Sequence, residues 1–337
     1  MKKLLALIVV LFIAVTLFGQ DDKVKELVSE GTQLHDAGKY DQAIEKYEQA
    51  LKINDKSTLA YYELSYTCMT IKKYDDAIKY SRKVIELNEF NQQAAYTVLG
   101  TSYDMKGQPQ EAIKVYREGL ILFPNSNLLN YNLALTLNNT GDFDDAAQAA
   151  INAILAKPSH GSSHIVLANA MKGKGERAKS MLSRYYFLLL EPNSNRSLIN
   201  LNILKGMLDQ GVEKQSEKEI NVNIPSNSTS DSIFGPAEMI VSLSAANRFI
   251  EENKGKTDAQ YFVERNKSIF SVLGELKKDH KDFWWDFYVT KFYDLVQTDN
   301  IEAFSYYISQ SLNSAEINNW ITNNQDKMKR LADWMKK

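Results

Sequence analysis

Pro124, Pro158 and Pro192 follow one another at intervals of 34 residues. Gly107, Gly141 and Gly175 keep the same interval, as do Leu99, Leu133 and Leu167. A fixed period of 34 shared by three residue types marks a chain built by stacking one small unit on the next. Continued upstream, the frame gives units beginning at Val24, Thr58, Gln93, Asn127 and Gly161, with one extra residue between the second and third, around Phe90, Asn91 and Gln92.

Each unit reads as two amphipathic helices, A and B. In the first, Leu27, Gly31 and Leu34 recur at i, i+4 and i+7 along helix A, and Tyr40, Ala43, Tyr47 and Ala50 stripe helix B. Between them Ala37, Gly38 and Lys39 make the turn, where glycine can take the positive φ that ends a helix. Small residues share two phases: Gly31, Ser65, Gly100, Ala134 and Ala168 in helix A, and Ala43, Ala77, Ala112, Ala146 and Ser180 in helix B. A bulky side chain there would keep two helices from approaching to about 8–10 Å. The prolines fall after helix B, where the helix must stop.

These residues resemble the tetratricopeptide-repeat (TPR) family. The third unit matches best, with Tyr96, Leu99, Gly100, Tyr103, Gly107, Ala112, Tyr116 and Pro124 at the signature places. The Trp favoured near the start of helix A is replaced by Leu27, Tyr61, Tyr96, Asn130 and His164, and Arg184 and Phe187 make the fifth unit a divergent array end. The resemblance implies an all-α fold: a right-handed superhelix of five repeats (24–57, 58–91, 93–126, 127–160 and 161–194), closed by a capping helix over 195–210 that includes Leu198, Leu201 and Leu204.

Ahead of the array, Lys2 and Lys3 precede an apolar run from Leu4 to Phe18, the pattern of a signal peptide ending near Gly19. A membrane span wants about 20 apolar residues, so the run is short for an anchor. It places the chain in the periplasm or outside a bacterial cell, with membrane contact only through an uncleaved leader. No cysteine lies near the end of the run, which argues against a lipoprotein; the single cysteine, Cys68, falls on an inward phase of helix A.

After the array the pattern changes. Residues 211–236 lose periodicity and read as a linker with a Ser/Asn/Thr cluster, in which Asp231, Ser232 and Ile233 resemble an acceptor pattern for bacterial O-glycosylation. Residues 237–337 then read as a separate helical domain, with helices over 237–252, 258–279, 283–298, 301–312 and 314–336. Its densest stretch, Phe283 to Tyr293, carries seven aromatics that would surround a helix, which suits a central core helix better than a sugar-binding shelf at Trp284 and Trp285.

Chemistry-bearing patterns are sparse. His160 and His164 stand i, i+4, but no acid completes a metal motif, and His164 fills the aromatic place of helix A. Gly173, Lys174 and Gly175 lack the rest of a phosphate loop. The acids Asp75, Asp76, Asp144 and Asp145 open helices, where they complement the helix dipole. With a formal charge of −2, the chain has no basic surplus to neutralise nucleic-acid phosphates. No metal, cofactor or catalytic residue is expected.

The TPR resemblance places the binding face on helix A, at its second, fifth, ninth, twelfth and thirteenth positions. Carried onto this sequence, those are Tyr62, Tyr66, Met69, Thr97, Thr101, Asp104, Tyr131, Leu135 and Asn138, with Val28, Thr32, Ile165 and Asn169 at the ends. Val28, Thr32, Thr97 and Thr101 stand where chaperone-binding members clamp a carboxylate with Lys, Arg or Asn, so that ligand is not expected in the groove. The implied function is a non-enzymatic adaptor in the bacterial cell envelope that holds a protein or peptide segment on tyrosine anchors. The alternative is a glycan-binding module for envelope polysaccharide.

Overall fold

The computed structural model describes residues 21–215, 220–223, 234–249, 253, 255–277 and 280–336. The expected leader (1–19) and the Ser232 acceptor pattern lie outside the described residues. The chain divides into two compact units, one ending at Thr140 and the other beginning at Gly141.

The first unit is a run of consecutive helices: α1 (21–36), α2 (Tyr40–Ile53), α3 (Thr58–Thr70), α4 (Tyr74–Leu87), α5 (Gln92–Met105), α6 (Pro109–Leu122) and α7 (Asn127–Thr140). From α2 to α7 each packs on the next, and α3, α5 and α7 also meet in sequence. The B helices bury one narrow stripe in a fixed frame: Ala43, Tyr47 and Ala50; Ala77, Ser81 and Val84; Ala112, Tyr116 and Gly119. The small helix A positions have a direct cause. A Cβ on Gly31 would come to 2.4 Å from the Tyr47 ring, and one on Gly100 to 2.2 Å from the Tyr116 ring. A tyrosine in helix B therefore requires glycine opposite it, whereas the second repeat carries serine at both places (Ser65 and Ser81).

The turn inside each repeat has one conformation. Gly38, Gly107, Gly141 and Gly175 have φ of +73°, +81°, +88° and +75°. In the second repeat the place is taken by Lys72, at φ +63°. The extra residue between repeats two and three is absorbed in the turn from α4 to α5, where Asn88 and Asn91 both take positive φ and Phe90 is left 79% exposed. Polar replacements of the favoured Trp find a common acceptor. Asn130 Nδ2 donates to the Pro124 carbonyl at 3.0 Å, and His164 Nε2 donates to the Pro158 carbonyl at 2.8 Å, each six residues upstream.

The second unit opens with α8 (Phe143–Ala156), α9 (Gly161–Gly173), α10 (Arg177–Leu190) and α11 (Asn195–Asp209). In α11, Leu201 and Leu204 are buried and Leu198 faces solvent. Within 211–236, β1 (Val212–Lys214) and β2 (Ile220–Val222) pair antiparallel. The later helices are α12 (Gly235–Ala246), α13 (Asp258–Leu276), a π-helical turn (Trp284–Val289) running into α14 (Thr290–Gln297), α15 (Ile301–Tyr307), α16 (Ala315–Asn323) and α17 (Gln325–Met335).

These helices share a core with the fifth repeat. Helix α10 is buried around nearly its whole circumference, because α9, α11, α12 and the π turn all pack on it. Tyr185 is fully buried, its ring 5.0 Å from Phe270 and 5.9 Å from Phe292. Its hydroxyl donates to Asn266, whose amide reaches Ser305 at 2.9 Å. Arg177 and Glu238 form a buried ion pair at 2.8 Å. Arg177 also donates to Ser242 and to the carbonyls of Glu238 and Gln210, and Glu238 accepts the Ala178 N–H.

Four helices differ from the periodicity reading: those expected over 237–252 and 301–312 end at Ala246 and Tyr307, each followed by a 3-10 turn, Asn247–Phe249 and Gln310–Leu312. The one beginning at Phe283 starts as a π turn, in which both the N–H and the hydroxyl of Thr290 go to the Trp285 carbonyl. The one over 314–336 breaks at Asn324, whose backbone leaves the helical region at φ −124°, ψ 44°. The bend lets Ile317 and Leu331 both reach the core.

Candidate functional site

The face that the helix A frame selects runs over α1, α3, α5 and α7. Tyr62 and Tyr66 are one turn apart on α3, with ring centroids 6.3 Å apart and planes 18° from parallel. The Tyr66 ring stacks in turn on His35 of α1, at 5.3 Å and 29°. His35 Nδ1 is hydrogen-bonded to the Thr67 hydroxyl at 2.8 Å, and its ring meets Tyr40 edge-on. Three flat rings therefore stand in a row, and the middle one, Tyr66, is 40% exposed.

The other groove positions divide by what already occupies them. Val28 is buried, and Met69 is partly buried against the core of the first two repeats. The Thr32 and Thr97 hydroxyls donate to the carbonyls one turn back, Val28 and Gln93. Thr101 is hydrogen-bonded to the Tyr116 hydroxyl at 3.1 Å. Tyr131, Leu135 and Asn138 are half-buried on α7, and the Asn138 Oδ1 has no partner among the described residues. In the second unit Ile165 is half-buried and Asn169 accepts from Arg184 at 2.7 Å, so it serves packing. The tyrosine row is thus the part of the predicted face with free aromatic surface.

His35 escaped the sequence reading. It holds the twelfth position of helix A in the first repeat, and the count that selects Met69, Asp104 and Asn138 selects it too. The surroundings are acidic. Burial, with Asp36 nearby, raises the pKa of Glu63, and burial with Glu63 nearby raises that of the Tyr62 hydroxyl.

A cleft of about 570 Å³ lies between α2, α3 and α4 of the same repeats. Its walls include Tyr61 and Tyr80, whose rings stack at 6.2 Å, with Lys52, Lys79 and Lys83 facing Glu48 and Glu86, the last paired with Lys83 at 3.3 Å. The Lys79 ammonium sits 5.1 Å from the Tyr80 centroid.

The remaining candidates resolve as structure. Both ring nitrogens of His164 are engaged, by Tyr288 and Pro158, and burial lowers its pKa to about 4, so it is a neutral packing group and not a metal ligand. Among the described residues no cluster of three His, Cys, Asp or Glu is placed to hold a metal ion. Cys68 is buried, which pushes its thiol up to about 11 and leaves it protonated at neutral pH. Trp284 and Trp285 are buried, so they offer no shelf for a sugar. Among the described residues no helix is long and apolar enough to cross a membrane.

Family models for the TPR repeat match residues 31–69, 59–91 and 97–162. Among curated proteins, the BBSome complex member BBS4 of Bos taurus is 24% identical over 139 residues, 41% of this chain and 26% of that protein. The small glutamine-rich tetratricopeptide repeat-containing protein 2 of Mycosarcoma maydis is 28% identical over 113 residues, 33% of this chain and 32% of that protein. The chain thus spans about a quarter to a third of the length of these relatives. Among solved structures, MamA protein superposes with a TM-score of 0.45 at 25% identity, over 51% of this chain and 93% of that one.

Proposed function

Since the chain is a tetratricopeptide-repeat protein over its N-terminal half, and such repeats are protein–protein interaction scaffolds, we propose that it is a non-enzymatic adaptor that holds a peptide segment on the Tyr62–Tyr66 face of the first unit. The observation that carries this reading is the His35–Tyr66–Tyr62 ring row, aromatic surface that the core leaves uncovered. Stacked rings on rigid helices lose little freedom on binding, and tyrosine offers both a flat face and a hydroxyl. The carboxylates of Asp36 and Glu63 beside the row disfavour an acidic segment and favour one carrying a basic residue next to its apolar anchor. The basic start and apolar run of residues 2–18 support work in the bacterial cell envelope, as an exported protein.

The test is crosslinked affinity capture from envelope extract, comparing the wild type with a Tyr62→Ala/Tyr66→Ala/Tyr131→Ala variant whose helicity is first checked by circular dichroism. A protein held by the wild type and lost from the variant supports the reading. Equal capture by both would overturn it.

A second reading, glycan binding, rests on the Tyr61–Tyr80 cleft, where stacked rings offer a flat face to a sugar ring and flanking lysines and glutamates offer groups for its hydroxyls. It predicts that soluble oligosaccharide quenches tyrosine fluorescence in the wild type and not in a Tyr61→Ala/Tyr80→Ala variant.

A further inference from the structure

A carboxylate adjoins each end of the His35–Tyr66–Tyr62 row in sequence: Asp36 follows His35, and Glu63 follows Tyr62. Asp36 is exposed and Glu63 is half-buried. Neither has an ion pair or a hydrogen bond among the described residues. Three groups sample the electrostatic field there. Burial and then Asp36 raise the pKa of Glu63, and burial, Glu63 and Tyr66 raise that of the Tyr62 hydroxyl. The Tyr47 hydroxyl is raised by burial and, beyond that, by Glu63 and Asp36. No lysine or arginine acts on any of the three. The negative charge beside the row is therefore offset by nothing on this part of the protein.

Tyr47 adds a second, independent sign. It is fully buried on α2, and its hydroxyl has no hydrogen-bond partner among the described residues. Thr32 and Thr67 stand near it and oppose the rise in its pKa, but their own bonds go to the Val28 carbonyl and to His35. Unspent charge and an unspent acceptor thus lie together under aromatic surface. Near-parallel rings with centroids 5.3 and 6.3 Å apart are offset, so part of each face stays open, and Tyr66 is the most exposed of the three.

Two carboxylates are too few for a metal centre, and among the described residues no third ligand joins them. A flat cation suits both features of the site. A guanidinium stacks on an aromatic face and forks its N–H donors onto carboxylates, whereas an ammonium is a compact charge that holds its water. Building on the adaptor reading, we infer that the segment held on this row presents an arginine, whose guanidinium lies on the Tyr66 ring and pairs with Glu63, with Asp36 adding attraction at longer range.

The test is an NMR titration of the full chain, following the backbone amides of Tyr66 and Thr67. The probes are acetylated, amidated alanine pentapeptides whose central residue is arginine, citrulline, lysine or glutamate. We expect the arginine peptide to shift these amides and lysine to bind more weakly. Citrulline, which keeps the flat shape without the charge, and glutamate should leave them unmoved. Glu63→Gln should weaken arginine binding about tenfold, the size of a lost charge-assisted hydrogen bond, and Glu63→Asp should recover part of it. No shift with arginine, citrulline or lysine binding as tightly, or Glu63→Gln without effect would overturn the inference. Circular dichroism of both variants separates a folding defect from a lost ligand. The adaptor reading fails on a different result, capture from extract that ignores the three tyrosines. Capture lost with the tyrosines but retained in Glu63→Gln overturns the arginine anchor alone.

Discussion

Tyr288 donates its hydroxyl hydrogen to Nδ1 of His164 at 2.7 Å, across 124 residues of sequence. The opposite ring nitrogen faces the Pro158 carbonyl at 2.8 Å. A carbonyl can only accept, so the proton of the neutral imidazole is on Nε2, and Nδ1 is free to accept from Tyr288. Protonating His164 would put a second hydrogen where Tyr288 now donates and would place a charge in the core.

The sign of the pH dependence follows. The folded-state pKa is lowered from 6.5 to about 4, mainly by burial. The unfolded state therefore takes up the proton first, and the neutral imidazole's contribution is complete above pH 6.5 and is lost as pH falls toward 4. At pH 5 this amounts to about 2 kcal/mol. The pKa of His160 is also lowered and adds in the same direction. Urea unfolding at pH 7.5 and pH 5 should show the loss, and His164→Gln should flatten the difference.

Gly100→Ala should destabilise the first unit by about 1–3 kcal/mol, because the added methyl meets the buried ring of Tyr116 at 2.2 Å and the ring has no room to retreat. The double change Gly100→Ala/Tyr116→Ala should recover less than a full repair, since it exchanges overlap for a cavity. Thermal denaturation of both variants measures this.

Lys72→Gly should do the opposite. Lys72 holds φ +63° at the turn position that glycine occupies in the other four repeats. A non-glycine residue in that region costs about 1 kcal/mol, partly offset by the unfolded-state entropy of glycine. The expected gain is about 0.5 kcal/mol, read as a higher urea midpoint with unchanged slope.

Glu238→Gln should cost about 3–5 kcal/mol, because it leaves the Arg177 guanidinium buried without its counter-charge. Surface pairs such as Lys23–Glu26, which water screens, should be worth far less by the same assay. The contrast separates buried pairing from charge count.

His35→Ala should leave the circular dichroism spectrum unchanged and weaken capture of any partner held by Tyr66, since it removes the ring on which Tyr66 stacks. An unaltered partner profile would remove His35 from the binding face.

The repeats were legible because their constraints are local and recur. Glycine at a positive-φ turn and small residues at helix crossings repeat at a fixed interval, so one frame exposes both. The frame fails where a residue does the same work without the expected chemistry. Lys72 takes the glycine conformation, and the register change between repeats two and three is absorbed by two asparagines. It also says nothing of long-range pairing. Arg177 and Glu238 lie 61 residues apart, and neither residue alone signals burial. The tyrosine row is half readable: Tyr62 and Tyr66 follow from the helix A frame, while His35 joins it through stacking between neighbouring repeats, which the spacing of histidines does not signal. The π turn and the break at Asn324 arise from tertiary demands, the first from aromatic residues that must all face inward, the second from two segments seeking one core.

Solenoids usually evolve by duplicating or losing whole units at their ends, since a new unit needs only the face of its neighbour. The buried Arg177–Glu238 pair closes that route on the C-terminal side. A duplicated repeat inserted after residue 194 would part Arg177 from the carboxylate it pairs with and uncover the surface that α12 now occupies. Lengthening the array on that side would therefore require this core to be rebuilt, so the fifth repeat and the helices packed on it form one unit of design.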